Sequence, residues 1–355
     1  MITVRSKQPD KTIDLFEKAG LTPDAFIFDI ETTGLSPYDA QLYLIGVLYV
    51  KPDGDAESIQ WFAESFSEEQ AVLCAFFDFA KDYEAAVSYN GDGFDLRFLE
   101  ECAKEYHLPF LLKEKRSIDL FKTVKKLKPV TGLTSCRQKN AEEYLGIRRE
   151  DRYTGGELIE IYECFIRTKD PADLNVLLLH NRNDVEGLSM LLPLIGVFRF
   201  FESPILKNVR QTEASDGRIL LSADLPFSFP RPVFKTLPSG NELSIKENRL
   251  SLFIETFRGT LKLFFPDWRN YVYLPNEGMA IYKCLADFVD PSRKIPASKE
   301  TAYTPLNAVF VPESETIVGV LSYRKDYADK IRYVRLSDLS PEDYLLSELS
   351  KVLSK

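Results

Sequence analysis

Apolar and polar residues alternate in the first part of the chain at spacings typical of strands and then of helices. The pattern predicts three consecutive strands followed by a helix, a short strand and a second amphipathic helix, over 25–30, 41–50, 57–64, 68–83, 85–90 and 96–107 respectively. Three successive strands indicate an antiparallel meander. Strands followed by alternating helices and strands are typical of an α/β layer fold.

Two further helices are predicted before residue 202. One runs from Leu133 to Leu145 and ends at Gly146, the residue type that most often follows a helix. The other is long and strongly apolar, from Asp173 to about residue 201, with Pro171 just ahead of its start. Pro193 lies inside this pattern, so we expect a kink there.

After residue 202 the pattern becomes that of a β-meander, with predicted turns at Glu247-Asn248 and Arg258-Gly259. Further strands, a helix over 277–289 and a closing amphipathic helix over 341–355 complete an α+β pattern without a recognisable catalytic constellation. We therefore expect an N-terminal extension, an α/β domain and a smaller α+β domain of unknown role, over 1–21, 22–201 and 202–355.

Composition excludes several classes of protein. No apolar run approaches the ~18 residues that a membrane span requires, and the N-terminus lacks an apolar signal core. We therefore expect a cytoplasmic protein with no membrane partner. The five cysteines are dispersed without any CxxC pair, which predicts neither a zinc site nor a disulfide framework.

The charge is distributed unevenly along the chain. The formal net charge is −9, yet residues 111–152 contain twelve lysines and arginines against six acidic residues. A basic patch on an acidic protein can be the binding surface for a polyanion such as nucleic acid. A solvated basic helix explains the same pattern, and charge alone leaves both interpretations open.

Four acidic residues are placed so that they could converge. Asp29 and Glu31 lie two apart on an apolar strand and so share a face, while Asp95 opens a helix. Asp184 lies on the apolar face of the long helix, one turn after His180. Buried carboxylates repel one another unless cations neutralise them, and hard oxygen ligands suit Mg²⁺ or Mn²⁺. Taken singly, Asp95 also fits a helix cap, and His180 also fits a hydrogen-bonded core histidine.

The motifs DIETTG, NGDGFD and HNRND occur in the order and at the approximate separations of the three exonuclease motifs of the DEDD superfamily. This superfamily comprises ribonuclease-H-like 3′–5′ exonucleases. The stretch over 22 to about 200 resembles in particular a branch of predicted bacterial exonucleases with HNxxD as the third motif. The resemblance implies a ribonuclease-H-like mixed sheet with flanking helices.

The resemblance also implies a site and a reaction. Carried over by motif, the metal ligands are Asp29, Glu31, Asp95 and Asp184, with two Mg²⁺ or Mn²⁺ ions in a two-metal hydrolysis of phosphodiester bonds. His180 is the candidate general base, because a neutral imidazole titrates near neutral pH. Its position is unusual: the residue is that of the histidine branch, whereas the spacing of four is that of the tyrosine branch.

The expected substrate is nucleic acid, DNA or RNA, presented as a single strand, a frayed end or a 3′ end. Asn90 and Phe94 are candidates for the pocket of the terminal nucleotide, by hydrogen bonding and stacking, and Thr32, inside the first motif, is a further candidate for binding substrate. The basic segment would follow the backbone of the strand through residues including Lys125, Lys126 and Arg137.

Two other classes of function are weighed against the nuclease. A catalytically weak or inactive nucleic-acid-binding scaffold could use the same fold, although four costly acids favour a working metal site. An actin-like kinase or ATPase also opens with a β-meander, but it needs a glycine-rich phosphate turn after its first aspartate. Here no glycine follows Asp29 until Gly34. The second domain could bind substrate, a protein partner or another copy of the chain.

Overall fold

The computed structural model describes residues 1–21, 23–52, 54–148, 153–313 and 319–353. The chain divides into two compact units, Met1–Phe200 and Phe201–Lys355. Each unit has its own sheets and its own buried apolar residues.

A six-stranded mixed sheet forms the centre of the first unit. Its strands are β1 (Ile2–Lys7), β2 (Ala25–Thr32), β3 (Leu42–Val50), β4 (Ala56–Phe62), β5 (Ala85–Ser88) and β6 (Arg116–Asp119). Their order across the sheet is β1-β4-β3-β2-β5-β6. The pairs β2–β5 and β5–β6 are parallel and the others antiparallel, so the predicted meander of β2, β3 and β4 is confirmed.

Nine helices belong to the described part of the chain up to residue 202. They are α1 (Lys11–Lys18), α2 (Glu69–Ala80), α3 (Asp95–Glu105), α4 (Leu120–Lys126), α5 (Lys128–Thr131), α6 (Gln138–Leu145), α7 (Gly155–Thr168), α8 (Pro171–Leu191) and α9 (Pro193–Glu202). Both α2 and α8 pack against β3, and all nine residues of β3 are buried. A strand buried on both faces reads as a continuous apolar run, which is the case for LYLIGVLYV. The predicted mixed sheet with flanking helices is confirmed.

The N-terminal residues belong to the sheet. β1 pairs antiparallel with β4 along its whole length, from Ile2 opposite Phe62 to Lys7 opposite Glu57. The segment predicted as an extension over 1–21 thus supplies an edge strand and α1. The edge position explains the weak signal in the sequence, because alternate residues of β1 are exposed and polar.

The long apolar helix differs from its prediction at Pro193. Helix α8 ends at Leu191 and α9 begins at Pro193, so the proline separates two helices. Pro171 is the first residue of α8, whose N-terminus is capped by the side chain of Asp170. The helix predicted over 133–145 begins only at Gln138, and it ends as expected at Gly146, which has a φ of 80°.

The second unit consists mainly of antiparallel strands. They are β7 (Lys207–Glu213), β8 (Ile219–Asp224), β9 (Val233–Thr236), β10 (Glu242–Lys246), β11 (Arg249–Ile254), β12 (Phe257–Phe264), β13 (Tyr271–Leu274), β14 (Met279–Tyr282), β15 (Ile295–Pro296), β16 (Tyr303–Pro312), β17 (Ser322–Tyr323) and β18 (Tyr333–Arg335). They form sheets in the orders β7-β8-β11-β10-β9, β12-β16-β18-β17 and β14-β13-β15. Two helices accompany them, α10 (Lys283–Ala286) and α11 (Pro341–Leu349). This is the predicted smaller α+β domain, and it is rich in β-structure.

Three local predictions in this unit have different outcomes. The turn at Glu247-Asn248 is confirmed, because it joins the paired strands β10 and β11. Arg258-Gly259 is not a turn but lies inside β12, which pairs with β16 in a different sheet. The helix predicted over 277–289 is wrong for its first half: β14 pairs there with β13, and only α10 is helical. Pairing with a strand that lies outside residues 277–289 determines the structure here, although the local periodicity of the sequence favours a helix.

No helix in the described ranges is long and apolar enough to cross a membrane. All five cysteines are free thiols.

Candidate active site

The first-motif acids project from the face of β2 that is covered by α8. Phe28, on the opposite face, is 1% exposed and packs against Phe76 of α2. Asp29 instead contacts Asn181 of α8. The period-two alternation of a strand thereby separates the aromatic core from the carboxylates.

Asn181 fixes the orientation of Asp29. Its Nδ2 donates to Oδ2 of Asp29 at 3.0 Å and to the backbone oxygen of Asp29 at 3.3 Å. Its own Oδ1 accepts from Nε2 of Gln60 at 3.0 Å. Asn181 is fully buried and Gln60 is 2% exposed, so this chain of hydrogen bonds is shielded from water.

Gly46 makes room for this chain of hydrogen bonds. It lies directly opposite Asp29 on β3. A Cβ atom at this position would lie 2.0 Å from Oδ1 of Asn181. The absence of a side chain therefore allows α8 to approach the sheet closely enough for Asn181 to reach Asp29.

Glu31, His180 and Asp184 form a compact group. One ligand atom from each lies within 4.8 Å of the other two. Nε2 of His180 is 3.0 Å from Oδ2 of Asp184 and 3.8 Å from Oε1 of Glu31. The side chain of His180 is 11% exposed, that of Glu31 is 14% exposed and that of Asp184 is 17% exposed, so little of the group is accessible to solvent.

Asp95 joins this group through the backbone of β2. It is the first residue of α3, is 5% exposed and accepts a hydrogen bond from the backbone N–H of Ile30, the residue between Asp29 and Glu31. Burial raises the pKa of Asp95 to about 7 despite hydrogen bonds from backbone N–H groups, and the carboxylates of Asp119 and Asp184 add to the rise. Asp119 itself caps α4 and accepts from the backbone N–H of Asn90.

These donors fit a divalent cation. A buried carboxyl whose pKa is raised by burial and by nearby carboxylates is a group that a cation would stabilise in its ionised form. The carboxylates of Glu31 and Asp184 with the imidazole of His180 are donors of the kind that Mg²⁺ and Mn²⁺ accept, and the imidazole favours the transition metal.

A cleft of about 380 Å³ is connected to the third-motif helix through one of its lining residues, Gln138, and it contains two of the predicted substrate residues. Asn90 and Arg137 line it together with Tyr89, Phe121 and Gln138. Nε2 of Gln138 donates to the backbone oxygen of Asp184 at 3.0 Å, which ties the cleft wall to the third motif. Asn90 has a φ of 64°, a conformation that asparagine tolerates better than most residues.

The other predicted substrate residues lie elsewhere. The hydroxyl of Thr32 donates to the backbone oxygen of Gly34 at 2.7 Å, so it stabilises the turn that follows β2. The half-buried ring of Phe94 packs against Phe98. Lys125 and Lys126 are exposed on α4, with Lys126 over the ring of Phe198 at 4.6 Å. The end of the basic segment, residues 149–152, lies outside the described residues.

Sequence reasoning missed several residues around the site. Asn181 could have been found, because it shares the inward face of α8 with Leu177, Asp184 and Leu188 at helical spacing. Gln60 could not, since nothing local marks it as the partner of a residue 121 positions away. The loop after Thr32 also carries two strongly exposed apolar residues, Leu35 (86% exposed) and Tyr38 (79% exposed).

One family model and several solved structures are similar to this chain. The family model described as RNase_H_2, of the RNase_H superfamily, matches residues 26–195. No curated protein matches the sequence. Among solved structures, the family B DNA polymerase of the archaeon Pyrobaculum calidifontis is 16% identical with a TM-score of 0.40, and covers 93% of this chain and 45% of the polymerase. A structure of exonuclease I is 12% identical with a TM-score of 0.35, covering 59% of this chain and 54% of that one.

A zinc-bound complex of E. coli exonuclease I with single-stranded DNA is 10% identical with a TM-score of 0.35, covering 58% of this chain and 55% of that one. The chain thus spans about half the length of these proteins. The similarity is distant, and their activities do not carry over to this chain. Residues 26–195 contain strands β2 to β6 of the mixed sheet but not the edge strand β1, and they include the two first-motif acids, Asp95 and the third-motif helix. Residues 26–195 therefore form a ribonuclease-H-like domain.

Proposed function

We propose that the chain is a metal-dependent nuclease that hydrolyses phosphodiester bonds, most specifically a 3′–5′ exonuclease acting on single-stranded or frayed ends. The observation that carries the proposal is that Glu31 of β2, which is far in sequence from His180 and Asp184 of α8, comes together with them so that one ligand atom from each lies within 4.8 Å of the others. Asp29 lies two residues from Glu31 on the same strand face, and Asp95 is hydrogen-bonded to the residue between them.

Asp29, Glu31, Asp95 and Asp184 are the proposed ligands of two divalent cations. Bound there, such ions would activate a water molecule and stabilise the charge that develops on the departing oxygen. The hydrogen bonds that Asn181 donates to the side chain and the backbone oxygen of Asp29 would hold this carboxylate in a fixed orientation toward a cation. Asn181 is therefore a positioning residue in this proposal.

His180 is the proposed general base. Its Nε2 lies between the carboxylates of Asp184 and Glu31, so a proton taken from water would be stabilised by charge on both sides. The spacing of four residues places the imidazole directly above Asp184 on α8, which explains how this spacing remains compatible with a role at the site.

The cleft lined by Gln138 is the proposed path of the strand. Its volume of about 380 Å³ is in the range of small-ligand sites, and it combines two aromatic rings with Asn90 and Arg137. Phe121 and Tyr89 contact each other with ring centroids 6.1 Å apart. Lys125 lies one helical turn after Phe121 on α4, where its ammonium group can contact a phosphate next to the cleft. Leu35 and Tyr38 offer apolar surface to bases on the side of β2.

End-labelled oligonucleotides test the reaction and its direction. We expect the parent protein, with Mg²⁺ or Mn²⁺, to convert a 5′-labelled single strand into a ladder of progressively shorter products. From a 3′-labelled strand it should release labelled mononucleotide at once. DNA and RNA strands of one sequence, run side by side on a gel, show which sugar is accepted.

Two controls decide the interpretation of that gel. Asp29→Ala should give no products, and a strand blocked at its 3′ end should be resistant. If both the 5′-labelled and the 3′-labelled strands gave fragments cut at internal positions, the protein would be an endonuclease and not an exonuclease. Binding of the strand without products at any metal concentration would favour the alternative, an inactive nucleic-acid-binding scaffold on the same fold.

The raised pKa of Asp95 predicts an unusual dependence of stability on pH. In EDTA, the folded protein keeps a proton on Asp95 between pH values of about 4 and 7, whereas the unfolded chain has released it. The free energy of unfolding should therefore fall, by on the order of a few kcal/mol, as pH rises through this window. Asp95→Asn should abolish most of that fall and stabilise the metal-free protein near neutral pH. Urea denaturation at several pH values measures both effects.

Asp92→Asn is the matched control in the same loop. Burial tends to raise the pKa of Asp92, but hydrogen bonds from Lys122 and Ser117 outweigh burial and lower it. Its titration in the folded protein therefore lies below the window, and the variant should show the parental slope. An equal slope in parent and Asp95→Asn would mean that Asp95 is ionised without metal and that the cluster is more open to water than described.

A further inference from the structure

The five-stranded sheet of the second unit has one buried and one exposed face. Strand pairing places the side chains of directly opposed residues on the same face. The buried face includes Ile245, Leu250 and Leu252, which are at most 1% exposed. The other face, here called the open face, carries Lys207, Arg210, Thr212, Leu220, Ser222, Asp224, Phe234, Thr236, Glu242, Ser244, Lys246, Arg249, Ser251 and Phe253. Arg218, which immediately precedes β8, extends over this face to the ring of Phe253.

An exposed aromatic ring stands at the edge of the open face. Phe234 lies on the edge strand β9 and is 66% exposed. Phe253, two strands away, is half-buried, and both rings line a cleft of about 480 Å³. A cation lies over each ring, Lys246 over Phe234 at 5.4 Å and Arg218 over Phe253 at 4.9 Å. Rings and cations are thus interleaved across one surface.

A row of serine residues crosses the sheet between these side chains, and one of them, Ser244, lines the cleft. Ser222, Ser251 and Ser244 are opposed in register on three neighbouring strands, and Phe234 is opposed to Ser244 at the end of the row. Small side chains leave a shallow trough in which a flat ring can lie against the sheet. Hydroxyl groups can donate to or accept from the polar edges of such a ring.

The charge of the open face is opposite to that of the whole chain. Together with Arg218, the open face has five lysines and arginines against four carboxylates, when Asp216 and Glu255 beside Arg218 are counted, while the chain has a formal net charge of −9. Arg218 forms ion pairs with Asp216, Glu242 and Glu255, and Arg249 forms one with Asp224. Lys246 takes part in none of the ion pairs found between described residues, so its charge is available to a ligand.

From this surface we infer that the open face binds single-stranded polynucleotide, with a base stacked on Phe234 and the adjoining phosphate on Lys246. The inference rests on the proposed function in that a polynucleotide is the substrate of the same chain. Aromatic rings interleaved with cations on an exposed sheet are the features by which single strands are bound without sequence preference. A duplex hides the faces of its bases and cannot stack on Phe234. An apolar protein partner would leave the cations of this face without counter-charge.

Fluorescence anisotropy with the full chain in EDTA tests this binding without hydrolysis. The probe is a 5′-fluorescein thymidine oligomer of roughly 12 nucleotides, a length typical of one such binding site. We expect Phe234→Ala to weaken binding about tenfold and Phe234→Trp to retain it, because stacking needs a flat ring. Phe234→Leu should behave like alanine. Lys246→Ala should lower the slope of log affinity against log salt by roughly 0.7.

An abasic oligomer of the same length separates the two contacts. Without bases, the Phe234→Ala effect should vanish, while the Lys246→Ala effect should persist. Phe288→Ala and Lys299→Ala are the matched controls, because both residues are exposed in the same unit but lie outside the five-stranded sheet, and each should bind as the parent does. Melting temperatures should be parental for all of these variants, since the substituted side chains are exposed.

The outcomes are distinct from those of the cleavage gel. Parental binding by Phe234→Ala and Lys246→Ala overturns the inference, even if the protein cleaves nucleic acid. Retained affinity for the oligomer in Phe234→Leu also overturns it, because leucine keeps the apolar surface but has no flat ring on which a base can stack. If the parent protein cleaves nothing but Phe234→Ala weakens its binding of the thymidine oligomer, the inference about the open face stands and only the proposed nuclease activity is refuted.

Discussion

Asp184→Asn and Asp29→Asn should each abolish phosphodiester cleavage while the protein stays folded. Either substitution removes a carboxylate from the proposed cation site, and metal-ion stabilisation of a developing charge is worth several kcal/mol. The expected loss is therefore roughly 10³-fold or more. In EDTA, both variants should be as stable as the parent or slightly more stable, because one charge of a crowded cluster is gone. Turnover and melting temperature are measured on the same preparations.

Asp92→Asn provides the comparison for this experiment. Asp92 is an aspartate of the second-motif loop, but it is bound by Lys122 and Ser117 and lies outside the carboxylate group. The Asp92→Asn variant should therefore cleave nucleic acid at the same rate as the parent protein. Parental cleavage by Asp29→Asn or Asp184→Asn would instead show that hydrolysis occurs elsewhere, or that the activity comes from a contaminant.

His180→Ala should lower turnover about 10²- to 10⁴-fold, the usual contribution of a positioned base. If His180 acts only as a base, the affinity for Mn²⁺ measured by calorimetry should stay near parental. His180→Tyr should recover part of the rate, because a phenol at this spacing can orient a water molecule near Asp184.

Two other roles for His180 give different results. Its Nε2 is near enough to Asp184 and Glu31 to share a cation with them, and a ligand role would weaken Mn²⁺ binding together with the rate. A purely structural role would lower the melting temperature and leave the rate per folded molecule unchanged. His107→Asn is the control, because His107 is the other histidine and sits exposed in a turn with a φ of 55° that asparagine can adopt.

Local periodicity predicts most of what positions this candidate site. Alternation along β2 places Asp29 and Glu31 on one face, and the 3.6-residue period places Asp184 on the inward face of α8. Both follow from the geometry of a single element. The predicted strands β2 to β5 and helices α2 and α3 fall within a few residues of their observed bounds.

Features that depend on distant partners could not be read from the sequence. Asp95 reaches the first motif only because β5 runs parallel to β2 and ends early, which leaves the N–H of Ile30 to its carboxyl group. β1 carries few apolar residues, because it needs only to complete the edge of a sheet. The stretch predicted as a helix over 277–289 contains β14 because β13 supplies its hydrogen bonds.

The missing side chain at Gly46 couples two parts of the site mechanically. β3 provides none of the proposed ligands, yet the space above Gly46 sets how close α8 lies to β2, because Asn181 fills it. The distance between the third-motif helix and the first-motif strand therefore depends on the packing of Asn181 against Gly46. Any displacement of α8 from β3 changes the separation of Asp29 from Asp184 and breaks the hydrogen bond to Asp29 at the same time. β3, which contributes no proposed ligand, thus helps to determine the distance between the carboxylates of β2 and α8.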